Sequence, residues 1–164
     1  MLFRSVNDAN VSVLLGNGDG TFGTKVDFAT GTYPYSVAIG DVNADGKPDL
    51  AVANVGSSSV SVLLGNGDGT FAAKVDYTAG TDPYFVAMAD VSGDGKPDLA
   101  VANFTDGTVS VFLGNGDGTF AAKVDYAAGS EAAWLAIGDV SGEDRKSTRL
   151  NSSHIQKSRM PSSA

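Results

Sequence analysis

Ten residues, Asp41-Val42-Asn43-Ala44-Asp45-Gly46-Lys47-Pro48-Asp49-Leu50, recur as Asp90-Val91-Ser92-Gly93-Asp94-Gly95-Lys96-Pro97-Asp98-Leu99 and begin again at Asp139-Val140-Ser141. Oxygen-bearing side chains occupy positions 1, 3, 5 and 9 of each loop, with glycine at position 6. Calcium takes about six to eight oxygens, and a glycine at the sixth position permits the sharp turn that brings the seventh carbonyl onto the metal. The first loop therefore offers Asp41, Asn43, Asp45, the backbone carbonyl of Lys47, and Asp49 as ligands to Ca2+. The second offers Asp90, Ser92, Asp94, the carbonyl of Lys96, and Asp98. An ordinary polar turn is built from the same residue types. It does not account for carboxylates repeated at positions 1, 5 and 9, where unpaired like charges repel.

An EF-hand loop ends in a bidentate Glu at position 12. Here that position is Val52 or Val101. Pro48 and Pro97 exclude the helix that an EF-hand requires next. The loop closes on Asp49 or Asp98 and runs straight into a strand.

The chain has 164 residues and no cysteine, so disulfides and thiolate metal sites are excluded. No apolar run is long enough to cross a bilayer as a helix, so no membrane insertion is expected. From Asp144 the composition changes: Asp-Arg-Lys-Ser-Thr-Arg-Leu-Asn-Ser-Ser-His shows neither alternation nor turn signals nor the repeat. Back-translated, it reads as a short-read sequencing adapter. Residues 144–164 are accordingly set aside as a non-native tail, expected to be disordered, and with them goes the sole histidine, His154. Residues 1–143 hold 18 of the 19 acidic side chains and only 6 of the 11 basic ones. So acidic a surface is a poor match for nucleic acid or anionic lipid.

The whole of 1–143 repeats with a period of 49 residues. Gly16-Asn17-Gly18-Asp19-Gly20-Thr21-Phe22 returns at 65–71 and 114–120; Val26-Asp27-Phe28 returns at 75–77 and 124–126. One period predicts four short strands. Ser36–Gly40 is small and apolar, and Leu50–Ala53 follows the metal loop. Val60–Leu64 comes third, and Ala72–Tyr77 alternates as an outer strand does. The glycine-rich stretch predicts a hairpin turn, and turn chemistry at Asp19, Asp68 and Asp117 is preferred there over a second ion site. Four antiparallel strands, the inner ones buried on both faces, describe a β-propeller blade. The fold class is all-β, a fragment of a β-propeller. Whole blades are expected at about 33–79 and 82–128, with remnants at about 1–30 and 131–143. Tyr35, Tyr84 and Trp134 are expected to pack between blades.

The Asp-x-Asn/Ser-x-Asp-Gly-x-x-Asp-Leu loop and the Leu-Gly-Asn-Gly-Asp-Gly-Thr-Phe segment together resemble the FG-GAP / VCBS repeat family, the blades of integrin-α-type propellers. The resemblance spans essentially all of 1–143 and implies calcium at the positions named above. The Phe-Gly and Gly-Ala-Pro words of the family are absent, with Tyr35-Ser36 and Ala53-Asn54-Val55 in about their places. This places the chain nearer bacterial VCBS-like repeats than integrins. The third loop is incomplete: Asp139 and Ser141 fit, but Glu143 stands where Asp is expected, at the point where the adapter-like segment begins.

The resemblance implies a calcium-binding structural and interaction module of a secreted or cell-surface protein, with an extracellular protein or carbohydrate as partner. Further blades are expected on both sides, and the unpaired blade faces are expected to self-associate. Without His or Cys in 1–143 the segment is not expected to be an enzyme, the alternative being a propeller segment of a larger extracellular enzyme.

Overall fold

The computed structural model describes residues 2–5, 9–138 and 150–151, with side chains over 9–138. Its described elements are strands and one short 3-10 turn, Val55–Ser57. The first sheet has three strands, β1 (Leu2–Ser5), β2 (Asn10–Val13) and β3 (Val26–Ala29), in the order β1-β2-β3. The second has four: β4 (Pro34–Gly40), β5 (Asp49–Asn54), β6 (Ser59–Leu63) and β7 (Val75–Thr78). The third repeats it as β8 (Pro83–Ala89), β9 (Asp98–Asn103), β10 (Thr108–Phe112) and β11 (Val124–Ala127). A last pair joins β12 (Ala136–Ile137) to β13 (Leu150–Asn151). All pairings are antiparallel, and each four-stranded sheet is a simple meander. These sheets are propeller blades.

The period-2 alternation of a strand decides how the blades stack. On β5, Leu50 and Val52, joined by Leu63 of β6, point back onto Val11 and Val13 of the first sheet. Ala51 and Ala53, with Val60 and Val62, point forward onto Val86, Leu99, Val101 and Phe112 of the third. The third sheet repeats the arrangement, Ala100, Ala102, Val109 and Val111 meeting Leu135. Each interface thus sets large side chains of one blade against the Ala-x-Ala face of its neighbour, so facing layers interdigitate. β5 and β9 are buried along their full length, whereas β7 and β11 are mostly exposed.

A polar column, buried at Asn54 and Ser61 or Asn103 and Ser110 and open at its outer carboxylate, runs through the second and third blades. In the second, the Asn54 amide donates to Ser61 Oγ at 2.9 Å, and Ser61 donates to Asp76 at 2.6 Å. Asn103, Ser110 and Asp125 repeat this in the third. Lys74 and Lys123 pair with the outer carboxylates, Asp76 and Asp125. The column has a signal in the sequence, since Asn54/Asn103, Ser61/Ser110 and Asp76/Asp125 recur at the repeat period, but turn chemistry and apolar runs drew the reading away from it.

Several expectations shift. The outer strand starts at Val75 rather than Ala72, because Ala72 is still bonded into the preceding turn through Leu64. Tyr35 and Tyr84 do pack across blades, with ring centroids 4.5 Å apart. Trp134 is one repeat position off from them, equivalent to Ser36 and Phe85; it lies on Phe85 and stays 72% exposed. Asp139, Ser141 and Glu143 lie outside the described residues, as does the 144–164 segment apart from the two residues of β13.

Candidate metal centre

Each candidate loop joins the first two strands of a blade, β4 to β5 and β8 to β9. The last ladder pair before the loop, Gly40 opposite Asp49, sets its two ends side by side. Gly46 and Gly95 turn the chain with φ of 78° and 85°. No atom lies within 4 Å of a Cβ built on either, so these glycines serve conformation rather than space.

The loop side chains are held by the loop's own amides. Asp41 accepts from Asp45 N at 3.2 Å and Gly46 N at 2.8 Å. Asn43 Oδ1 accepts from Asp45 N at 3.1 Å, and Asp45 Oδ1 from Lys47 N at 2.9 Å. In the second loop Asp90 accepts from Gly93 N, Asp94 N and Gly95 N, and from the Ser92 hydroxyl at 3.4 Å. Asp94 accepts from Lys96 N at 2.9 Å. Positions 1, 3 and 5 are thereby gathered onto one tight turn. The amide of Lys47 holds the Asp45 carboxyl below its ordinary range, helped by Asn43 and by the Lys47 charge; Asp94 is lowered likewise by the amide of Lys96.

Position 9 behaves differently. Asp49 is fully buried, accepting from Val42 N at 2.8 Å through one oxygen and from Gly65 N at 2.7 Å through the other. Asp98 accepts from Val91 N, Ser92 N and Gly114 N. These two carboxylates clasp the start of the metal loop to the start of the glycine-rich turn of the same blade. Gly65 and Gly114 are needed for that approach: a Cβ there would stand 2.1 Å from the Pro48 carbonyl oxygen, or 2.2 Å from that of Pro97. The turn itself runs as expected, with Asp19, Asp68 and Asp117 each accepting from the amide and hydroxyl of the threonine two residues on.

The lysine side chains reach back over their own loops. Lys47 Nζ lies 3.5 Å from Asp45 and Lys96 Nζ 3.7 Å from Asp94, exposed pairs that soften the loop's negative charge without adding much stability. Their stems lie over Gly67 and Gly116 of the neighbouring turn.

Among the described residues no three carboxylates converge as a ready-made metal cage. The donor set nonetheless suits a hard cation: all oxygen, with no nitrogen or sulfur. A carboxylate has about four lone-pair sites, so a carboxylate bonded to two amides keeps capacity for a metal. Asp41, Asn43 and Asp45 fit calcium on that ground, as do Ser92 and Asp94; Asp90 accepts four bonds and keeps room on Oδ2, which is bonded to Gly95 N alone. Asp49 has the same count as Asp41 but is fully buried, and like Asp98 it is engaged in holding the blade together.

A family profile described as FG-GAP-like repeat matches residues 2–52, 41–101 and 90–146. The chain belongs to the FG-GAP-like repeat family. No curated protein matches it. Among solved structures it is similar to a chain of the Photorhabdus luminescens Tc holotoxin pore, in a mutant form, with TM-score 0.51 and 18% identity over 91% of the present chain. It spans only 7% of that chain's length, and at such identity the likeness concerns the fold alone. The boundaries of the FG-GAP-like matches overlap at 41–52 and 90–101, so each candidate loop and the strand after it belong to two successive matches.

Proposed function

We propose that this chain is a calcium-binding FG-GAP-like repeat module of a secreted or cell-surface protein, structural and interacting rather than catalytic. Calcium would be held by Asp41, Asn43, Asp45 and the Lys47 carbonyl in one blade, and by Asp90, Ser92, Asp94 and the Lys96 carbonyl in the next. Asp49 and Asp98 close the loops from behind. The observation that carries this reading is the repetition, 49 residues apart, of one loop whose first, third and fifth side chains are tied to its own amides. Bound calcium supplies positive charge where carboxylates crowd, and so stiffens the connection between the two inner strands. The blades then present their loops to a partner, an extracellular protein or carbohydrate. A cleft of about 370 Å³ between the first and second sheets is lined by Val13, Leu15, Ile39, Pro48, Leu50 and Phe71.

Calcium should raise the unfolding midpoint of the chain. At a free concentration one hundred times the dissociation constant, each independent site stabilises by about 2.7 kcal/mol. Magnesium should do far less, because it demands tight octahedral geometry and keeps its waters. Denaturant unfolding with calcium, with magnesium and with a chelator measures this. Equal midpoints in all three would end the calcium proposal.

A further inference from the structure

The lysine at the seventh position of each candidate loop has two carboxylates around it, and only one of them belongs to the loop. Asp45 accepts from the Lys47 amide through Oδ1 and turns Oδ2 to the Lys47 ammonium, 3.5 Å away. Asp94 divides its oxygens in the same way, Oδ1 to the Lys96 amide and Oδ2 to the Lys96 ammonium at 3.7 Å. The oxygen left for a metal is therefore the one beside the ammonium. An ammonium and a divalent cation repel each other across so short a distance, so the lysine has to move when the loop is loaded.

The neighbouring turn sets where it goes. A Cβ built on Gly67 would stand 3.1 Å from Lys47 Cδ and 3.5 Å from Cε, and one on Gly116 would stand 3.1 and 3.4 Å from the same atoms of Lys96. Each stem is thus laid across the glycine-rich turn, and rotation about its last bonds carries the ammonium while the stem stays in place. The residue after the glycine is Asp68 in one blade and Asp117 in the next. Both are exposed, and both accept from their own threonine, amide and hydroxyl, through Oδ1, so Oδ2 keeps its lone pairs. The Thr70 hydroxyl and amide hold the Asp68 carboxyl below its ordinary range, and the Lys47 charge adds to this from across the turn; Thr119 and Lys96 do the same for Asp117.

We propose that Asp68 and Asp117 are positioning residues for calcium, each receiving the lysine ammonium that has to leave Asp45 or Asp94 when the loop is loaded. The inference rests on the calcium reading above and adds to it residues that lie outside the loops. It places control of each loop's affinity in the turn that Asp49 or Asp98 already clasps to that loop. An exposed ion pair changes an equilibrium by a factor of about two to five, which is the size of effect expected here.

The test is a cycle of calorimetric calcium titrations at low ionic strength in the Asp94→Ala chain, where the first loop alone is left to load. Asp68→Asn keeps an oxygen for the Thr70 amide and hydroxyl but loses the charge, and should weaken calcium about threefold. Lys47→Met keeps a stem over Gly67 and loses the ammonium. In the Lys47→Met chain, Asp68→Asn should leave the affinity nearly unchanged. If Asp68 acted on calcium through its charge alone, or if the substitution merely damaged the turn, binding would weaken equally with and without the lysine. Equal effects in the two backgrounds therefore overturn the proposal, as does an Asp68→Asn chain that binds as tightly as the chain it was made in. Asp117→Asn and Lys96→Met in the Asp45→Ala chain give the same cycle on the second loop if Asp68→Asn loses its fold by circular dichroism. A parent chain that takes up no calcium overturns the calcium reading and this proposal with it; uptake without the coupling overturns this proposal alone.

Discussion

Asp49→Ala is expected to lower stability by about 3 kcal/mol or more with all metal chelated, and Asp98→Ala by at least as much. Hydrogen bonds to a charged group contribute about 1.5–3 kcal/mol each, and a buried donor left without a partner costs a further share of its desolvation. Asp49 serves two backbone amides, of Val42 and Gly65, and Asp98 serves three. Alanine strands all of them in a place that water does not reach, since Asp49 is fully buried. The loss compares with a total of about 5–15 kcal/mol for a typical domain. Denaturant midpoints in a chelator separate this effect from any metal effect. A loss under about 1 kcal/mol would show that the clasp contributes little.

Gly65→Ala and Gly114→Ala should be about as damaging, for a steric reason. The new methyl would stand 2.1 or 2.2 Å from a proline carbonyl oxygen, and a backbone atom cannot swing aside as a side-chain tip does. Relief requires the glycine-rich turn to move off the metal loop, which pulls the Gly65 or Gly114 amide away from its carboxylate. Several kcal/mol is the expected scale for overpacking joined to a lost buried hydrogen bond. Gly18→Ala is the control: φ is 84° there and no atom lies within 4 Å, so only the left-handed backbone penalty of about 1–2 kcal/mol applies. If Gly65→Ala is no worse than Gly18→Ala, the close approach is not what the glycine is for.

These two cases mark where the residues alone stopped being informative. The 49-residue period, the alternation on β7 and the all-apolar β5 carry the blade architecture openly, because periodicity and burial are local properties of a strand. The tight turn at positions 1, 3 and 5 was equally open, because Asp, Asn, Ser and Gly are turn residues. The clasp at Asp49 was not: nothing in the residues says that this candidate ligand also accepts from Val42 N and Gly65 N, and only the neighbouring turn shows it. Gly65 misled for a similar reason, since a glycine in a Gly-Asn-Gly-Asp-Gly run reads as turn conformation, whereas Gly65 answers to the Pro48 carbonyl. Trp134 was grouped with Tyr35 and Tyr84 by residue type, although counting the period places it with Ser36 and Phe85.

Calcium at the two loops is tested most directly by calorimetric titration of the parent beside Asp45→Ala, Asp94→Ala, Lys47→Ala and Lys96→Ala. Asp45 and Asp94 are exposed and bonded only within their own loops, so their loss should leave the fold intact. Each aspartate variant is expected to lose one calcium site of the parent. Each lysine variant should keep both and bind slightly more tightly, because the carbonyl remains and an ammonium near the carboxylate is gone. A parent that takes up no calcium at millimolar concentration, the weak end of the range of about 10⁻⁴–10⁻³ M for extracellular modules, or lysine variants that lose a site as the aspartate variants do, would contradict the assignment.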